Sequence, residues 1–470
     1  MRHTRPAFRI LIDNGLEMNR RIVVTFLVGL TFATLSSIPP QANSGQIPIC
    51  AEASKGSLVP LAGLNNWLFL DSEFHSNPFA TDNQLEPIKR LNDALWDRGI
   101  KLIAIPIPSR PAVIGEHFDL NNPNQAKYDL AQSRAGYNDA VKAFRRNQIS
   151  TVNVLEAMRE YINKGGKDNL FFSRDFHWTP AGSRIAAQAT AKEVKAWSMF
   201  YALLPKVDYV NQPTRMYEFK GNISGILEEL CKGTTLPPEL AQGFTPVRQG
   251  KANLFTNERI EVTLTASSFG ASAFEPNQLD FNLTGFLEQY LKTNVLNAGI
   301  AGGGYDASLE AYLMGPEYAR QKPKFLLYEF RALPISYALS SFRRITPGVY
   351  GPCSPSKAVF NGSSLRFTNG PSITVLNIPA SVGIKGSSKY LFFRLSDPKL
   401  THFNAFFTYD NGQVEVVAVE RNDRYENDGR FLLELNDKYN GNLIRFSIGT
   451  DTPTTGKVTA RVCVVPTSSK

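Results

Sequence analysis

The hydrophobic rhythm of the chain changes twice. An apolar run with only small and hydroxyl interruptions, residues 22–35, comes first. From about residue 51 to 345, short buried-type runs alternate with stretches of helical period. The sequence predicts strands at 99–106, 152–155, 260–265, 295–297 and 325–330. Between them it predicts helices at 85–98, 137–146, 180–197, 286–291 and 307–320, with Pro180 at a helix start, where proline is tolerated. Strands alternating with helices mean an α/β domain with a mainly parallel sheet. Residues 206–259 fit neither period and read as an excursion from that core.

Beyond about 345 the helical period is lost. Seven alternating strands are expected at 372–375, 390–395, 405–409, 414–419, 431–435, 443–448 and 458–465, with Asn411-Gly412 as a hairpin turn. This is the pattern of an all-β sandwich. Residues 344–362, rich in Pro, Gly and Ser, read as the linker. No repeat or low-complexity segment is present.

The first apolar run belongs to a secretory signal. Asn19-Arg20-Arg21 after Met18 supplies the positive flank, and Ala42-Asn43-Ser44 supplies small residues for cleavage. The run is short for a bilayer, which takes about 20 residues, although a retained anchor is the alternative. The expectation is a signal peptide over 1–44, with the start at Met18, cleavage near Ser44 and a periplasmic mature protein. The mature chain then divides into 45–345 and 346–470.

Composition adds limits. With 43% hydrophobic and 20% charged residues, the chain is a folded protein rather than a disordered one. The formal charge is +9, and loss of 1–44 removes five arginines and two acids, leaving +6. That is too mild for a nucleic-acid footprint and suits occasional contact with a polyanion. Cys50, Cys231, Cys353 and Cys463 lack the close pairing of a zinc site. Export and an even count imply two disulfides, with three pairings possible. Cys50–Cys231 and Cys353–Cys463 are favoured because each staples one domain near its ends.

Candidate chemistry centres on His177, in Arg174-Asp175-Phe176-His177-Trp178-Thr179-Pro180. An Asp two residues before a His at a strand-to-helix turn can hold Nδ1–H and leave Nε2 to take a hydroxyl proton. His75 and His117 read as structural or surface residues. The strand at 260–265 runs into Ala266-Ser267-Ser268-Phe269-Gly270, and a serine at a strand's C-terminal end is where hydrolases expose Oγ. Ser267 and Ser268 both qualify. Three consecutive glycines, Gly302-Gly303-Gly304, in the stretch 297–305 let the backbone approach a ligand closely, where its N–H groups can serve an oxyanion. Neither a Walker lysine nor Rossmann spacing accompanies them.

Taken in order, Asp175-x-His177-Trp178-Thr179, Ser268 in a strand-end turn, 297–304 and Tyr328-Glu329 resemble the AlgX family of alginate O-acetyltransferases. These belong to the SGNH-hydrolase-like acetyltransferases of exopolysaccharide assembly. Trp67-Leu68-Phe69, the placement of the four cysteines and a β-rich C-terminal region of matching length extend the resemblance over nearly the whole mature chain. It implies a circularly permuted SGNH-like α/β domain followed by a β-sandwich carbohydrate-binding module. In ordinary SGNH hydrolases the serine block precedes the Asp/His block, and here the order is reversed. The nucleophile would be Ser268, with His177 and Asp175 completing the triad. Two departures stand out. Ala266-Ser267-Ser268 replaces the family's Gly-Thr-Ser, and all four tryptophans (67, 96, 178 and 197) lie before the sandwich.

The resemblance implies an acetyl-serine at Ser268, an oxyanion held by the N–H groups of Ser268 and Gly303, and no metal or cofactor. The acceptor would be a sugar hydroxyl of an anionic polysaccharide such as alginate. A membrane acyltransferase would supply the acetyl group, and other export proteins would be partners. Arg110 and Tyr328 are expected to line the cleft. Lys399, His402, Arg421 and Arg424 are expected to meet uronate carboxylates. An acetyl esterase on the same glycans and a non-enzymatic export scaffold remain as alternatives.

Overall fold

The computed structural model describes residues 47–55, 58–74, 81–250, 259–271, 281–332, 339–368, 370–451 and 454–466. The expected signal segment 1–44 and His75 lie outside these residues. Five parallel strands form the central sheet: β1 (Lys101–Ile107), β2 (Ser150–Thr151), β3 (Val262–Thr265), β4 (Val295–Asn297) and β5 (Phe325–Arg331). Their spatial order is β2-β1-β5-β3-β4. Every residue of β1 and β3 is buried, as expected for strands covered on both faces. Helices Glu86–Trp96, Leu130–Arg146, Val154–Asn163, Pro180–Ala196 and Leu283–Leu291 contribute Leu91, Phe144, Leu155, Ala187 and Phe286 to the same core.

Two local expectations change. The run 152–155 is not a strand, because Asn153 caps the helix Val154–Asn163 by accepting the Glu156 N–H at 3.0 Å. Val152, Val154 and Leu155 are buried all the same, so the apolar run reports burial rather than strand period. The stretch 307–320 is two helices, Ala307–Met314 and Pro316–Arg320, because Gly315-Pro316 ends one and starts the next. The excursion at 206–259 holds an antiparallel hairpin, Tyr209–Phe219 with Glu239–Arg248, around the helix Asn222–Leu230.

The C-terminal region is a sandwich of two antiparallel sheets. One has the order Phe360–Asn361, Thr455–Val464, Lys389–Leu395, Arg430–Glu434, with Leu365–Thr368 also on Thr455–Val464. The other runs Ser372–Asn377, Leu443–Gly449, His402–Tyr409, Val414–Glu420. Phe393 and Phe431 from the first sheet meet Phe403 and Phe446 from the second, with ring centroids 5.0–5.9 Å apart. The Asn411-Gly412 turn forms as expected, with Gly412 at φ 82°.

The α/β and β parts pack as one compact unit. The expected linker starts inside the molecule, since Thr346, Pro347, Gly348 and Val349 are buried, and emerges to solvent at Ser354–Lys357. Ion pairs cross the seam: Arg421–Glu310 at 2.8 Å, Arg343–Glu415 at 2.5 Å and Arg90–Glu434 at 3.1 Å. The disulfides are Cys50–Cys231 and Cys353–Cys463. Among the described residues, no helix is long and apolar enough to cross a membrane.

Candidate active site

Asp175 and His177 lie in a tight loop closed by the Phe171–Trp178 bridge. The two-residue spacing lets one carboxylate oxygen do two jobs. Asp175 Oδ1 accepts the His177 backbone N–H at 2.7 Å and ring Nδ1–H at 2.6 Å. An ionised carboxylate only accepts, so Nδ1 carries the proton and Nε2 is left as an acceptor. Nε2 stands 2.8 Å from Ser268 Oγ. Asp175 Oδ2 accepts the Asn222 N–H at 2.5 Å, at the start of the helix Asn222–Leu230. Burial works to raise the Asp175 carboxyl. The hydrogen bond and charge of His177, with the Asn222 and His177 N–H groups, outweigh it and hold the group below its usual range.

Remote residues build that loop. A Cβ on Gly221 would stand 2.2 Å from the Arg174 carbonyl oxygen, so only glycine lets the excursion reach Asp175. Arg110 is buried and spends its guanidinium on Glu73 (2.8 and 2.9 Å) and on the carbonyls of Leu68, Phe172 and Asp175. It fixes the loop from beneath and does not line a cleft, contrary to expectation. Glu239, from the excursion hairpin, accepts the N–H groups of Ser173 and Arg174.

On the other side, β3 ends at Thr265 and the chain turns through 266–270. Ser267 is buried, and its hydroxyl and N–H both donate to Glu329 of β5 at 2.9 Å. Ser268 is half-buried and faces His177. The two serines are thereby told apart. Burial pushes the Glu329 carboxyl up to about 7, against the pull of the Ser267 and Gly270 donors. Ala266 does not occupy the left-handed region, so the turn accepts its Cβ without backbone strain. The Trp178 indole N–H donates to the Phe269 carbonyl at 2.9 Å and ties the two halves together. Phe176, Phe269 and Phe281 pack around the imidazole, with ring centroids 4.4, 4.6 and 5.3 Å away.

The glycine loop lies beside this turn, where the Ile300 N–H donates to the Ala266 carbonyl at 3.0 Å. Gly302 and Gly304 use positive φ. Gly303 does not fit the oxyanion expectation, because its N–H is spent on the Ile300 carbonyl at 3.0 Å. Among the described residues the Ser268 N–H has no acceptor. Tyr328 is also not a cleft residue: it is buried, and its hydroxyl donates to the Tyr305 carbonyl at 2.7 Å.

Of the expected sugar contacts, Arg421 is buried on Glu310, Asn427 and the Arg430 carbonyl, and so is part of the seam. Lys399, His402 and Arg424 are exposed. Arg424 lies over Gly302 and lines a cleft of about 910 Å³ with Ile300, Arg394, Arg430 and Lys457. Lys399 and His402 are not in that lining. Asn222 and Glu73 carried no local sequence signal, because their roles arise from contacts 47 and 37 positions away; Glu329 stood out only as part of a motif, without its contact to Ser267.

Comparison with known proteins adds identity to this geometry. The family described as an SGNH hydrolase-like domain, acetyltransferase AlgX, matches residues 61–332, and a C-terminal carbohydrate-binding module matches 353–470. The chain is 25% identical over 376 residues to the alginate biosynthesis protein AlgX of Pseudomonas fluorescens, covering 79% of this chain and 75% of that one. It is 27% identical over 292 residues to the probable alginate O-acetylase AlgJ of Pseudomonas putida, covering 60% and 71%. The solved structure of Pseudomonas aeruginosa AlgX shares the fold with a TM-score of 0.75, at 22% identity over 89% of this chain and 100% of that one. An α/β domain with the Asp/His loop ahead of the serine strand, followed by a β-sandwich module, thus places the chain in the AlgX family of SGNH hydrolase-like acetyltransferases.

Proposed function

We propose that the protein is a periplasmic O-acetyltransferase that moves acetyl groups onto hydroxyls of an exopolysaccharide, with alginate mannuronate as the acceptor. The observation that carries this reading is the continuous relay from Asp175 through His177 to Ser268 Oγ. In the first half-reaction His177 Nε2 takes the Ser268 proton as Oγ attacks the acetyl carbonyl. The Ser268 N–H, without an acceptor of its own, points to a role in holding the oxyanion. His177 returns the proton to the leaving group, and an acetyl-serine remains. In the second half-reaction a sugar hydroxyl gives its proton to His177 and attacks that ester; the bond to Ser268 Oγ breaks, and His177 returns the proton to Oγ.

Transfer rather than hydrolysis requires the acceptor to be held close and water to be kept out. The aromatic packing around His177 and the adjoining carbohydrate-binding module support transfer over the esterase alternative. A scaffold has no need of the relay. The names of the relatives support alginate as the polymer. The exported location, cleavage near Ser44, the domain division at 345/346, a membrane acyltransferase as donor partner and other export proteins as neighbours belong to the same proposal. Lys399, His402 and Arg424 would contact the polymer from the sandwich. The test is to supply a chromogenic acetyl ester and read acetate release. Ser268→Ala and His177→Ala should abolish release, and release that persists in both would reject the relay.

A further inference from the structure

Arg331 ends β5 at the C-terminal edge of the sheet, beside the serine turn. Thr265 of β3 pairs with Tyr328 of β5, and Ser268 and Arg331 each follow three residues later on these neighbouring segments. The Arg331 guanidinium lies 5.3 Å from the centroid of the Phe176 ring, and that ring packs 4.4 Å from the His177 imidazole. The residue is half-buried. Among the described residues its side chain has no hydrogen-bond or ion-pair partner.

Its setting makes the missing partner informative. Three carboxylates act on Arg331 through space, and each is occupied elsewhere. Glu73 is held bidentately by Arg110, Asp175 by His177 and Asn222, and Glu329 by Ser267. Arg110, the other arginine of this region, spends its donors on protein atoms. A partly desolvated guanidinium is always charged and costly to leave unpaired. Its planar fork matches a carboxylate, which can accept two parallel hydrogen bonds.

We infer that Arg331 is the acceptor-site cation of this centre: it binds the carboxylate of the uronate sugar whose hydroxyl is presented to Ser268. The aromatic face of Phe176 backs the guanidinium at 5.3 Å from the ring centroid. The inference rests on the acyl-transfer reading of Ser268 and deepens it by naming the group that selects a charged sugar. It also separates acceptor choice at the catalytic centre from polymer retention by the sandwich.

The test uses the whole mature protein and phenylmethylsulfonyl fluoride, a small neutral reagent for activated serines, with adduct formation on Ser268 followed by mass spectrometry. Mannuronate oligomers should slow labelling of the parent, and carboxyl-reduced oligomers of the same length should do so less well. In Arg331→Gln the concentration of charged oligomer giving half protection should rise about tenfold or more, the size expected for a lost charged hydrogen bond, and the charge preference should vanish. Arg331→Lys, which keeps the charge without the fork, should fall between. Labelling of Ser268 in each variant reports that its centre is assembled. Protection by charged oligomers that is unchanged in Arg331→Gln would overturn the inference while leaving the relay intact. A parent in which Ser268 is not labelled would reject the relay, and the inference with it.

Discussion

Ser267 and Ser268 differ in their neighbours rather than in their chemistry. Glu329 takes both donors of Ser267, and His177 takes the hydroxyl of Ser268. After incubation with an activated acetyl ester, the acetyl adduct should map to Ser268 by peptide mass spectrometry. An adduct on Ser267 would contradict the assignment. Glu329 itself should mark the pH dependence of stability. Its carboxyl is raised to about 7 in the folded protein, so its contribution is full below the ordinary carboxylate range and is lost as pH rises through 7. Melting temperatures between pH 5 and 8 should carry this downward component in the parent and lack it in Glu329→Gln. The contacts of Asp175, His177 and Ser268 were legible in the sequence because Asp-x-His is a local device and the serine sits at a visible strand end. Arg110, Tyr328 and Arg421 were misread because what consumes a polar group is remote. Glu73 is 37 positions from Arg110, and Glu310 is 111 positions from Arg421.

At the level of elements, the Asp175/His177 loop depends on an excursion that the hydrophobic pattern left unassigned. The helix Asn222–Leu230 gives Asp175 an N–H donor, and the Cys50–Cys231 disulfide fastens the residue that follows this helix. Gly221 permits the approach. Gly221→Ala should therefore displace the Asp175 carboxylate and lower ester turnover by about 100-fold, the order expected for a misplacement near 1 Å. Turnover measured against melting temperature checks this, and a variant with full activity would contradict it. Strand periods were read well where strands are long and buried, as in β1 and β5. The run 152–155 shows the limit of such reading. A short apolar segment serves a helix as readily as a strand, and a capping asparagine decides which.

Across the whole molecule, the sandwich is joined to the α/β domain by buried charge. Glu310 is held by Arg421 from the sandwich and by Arg344 from the helix Leu339–Ile345. Removing Arg421 leaves Glu310 on Arg344 alone and takes away the pairing across the seam; losing one partner of a buried ion pair typically costs up to about 3–5 kcal/mol. Arg421→Ala should split a single calorimetric transition into two, with the sandwich released from its partner. One undisturbed transition at the parent temperature would show that the seam is not cooperative. Both domain types were legible from the change in hydrophobic period near residue 345, whereas the buried seam was not. Residues 344–362 have a linker's composition, yet Thr346–Val349 sit inside the molecule.

Fixed geometry between relay and sandwich matters for one claim above the others, that an acetyl group passes from Ser268 to a sugar. The direct measurement is to incubate the protein with an acetyl ester and mannuronate oligomers and to weigh the oligomers by mass spectrometry, with Ser268→Ala and His177→Ala in parallel. Oligomers should gain acetyl mass with the parent and with neither variant. Acetate release by the parent with no acetylated oligomer, across charged and neutral glycans alike, would contradict that claim.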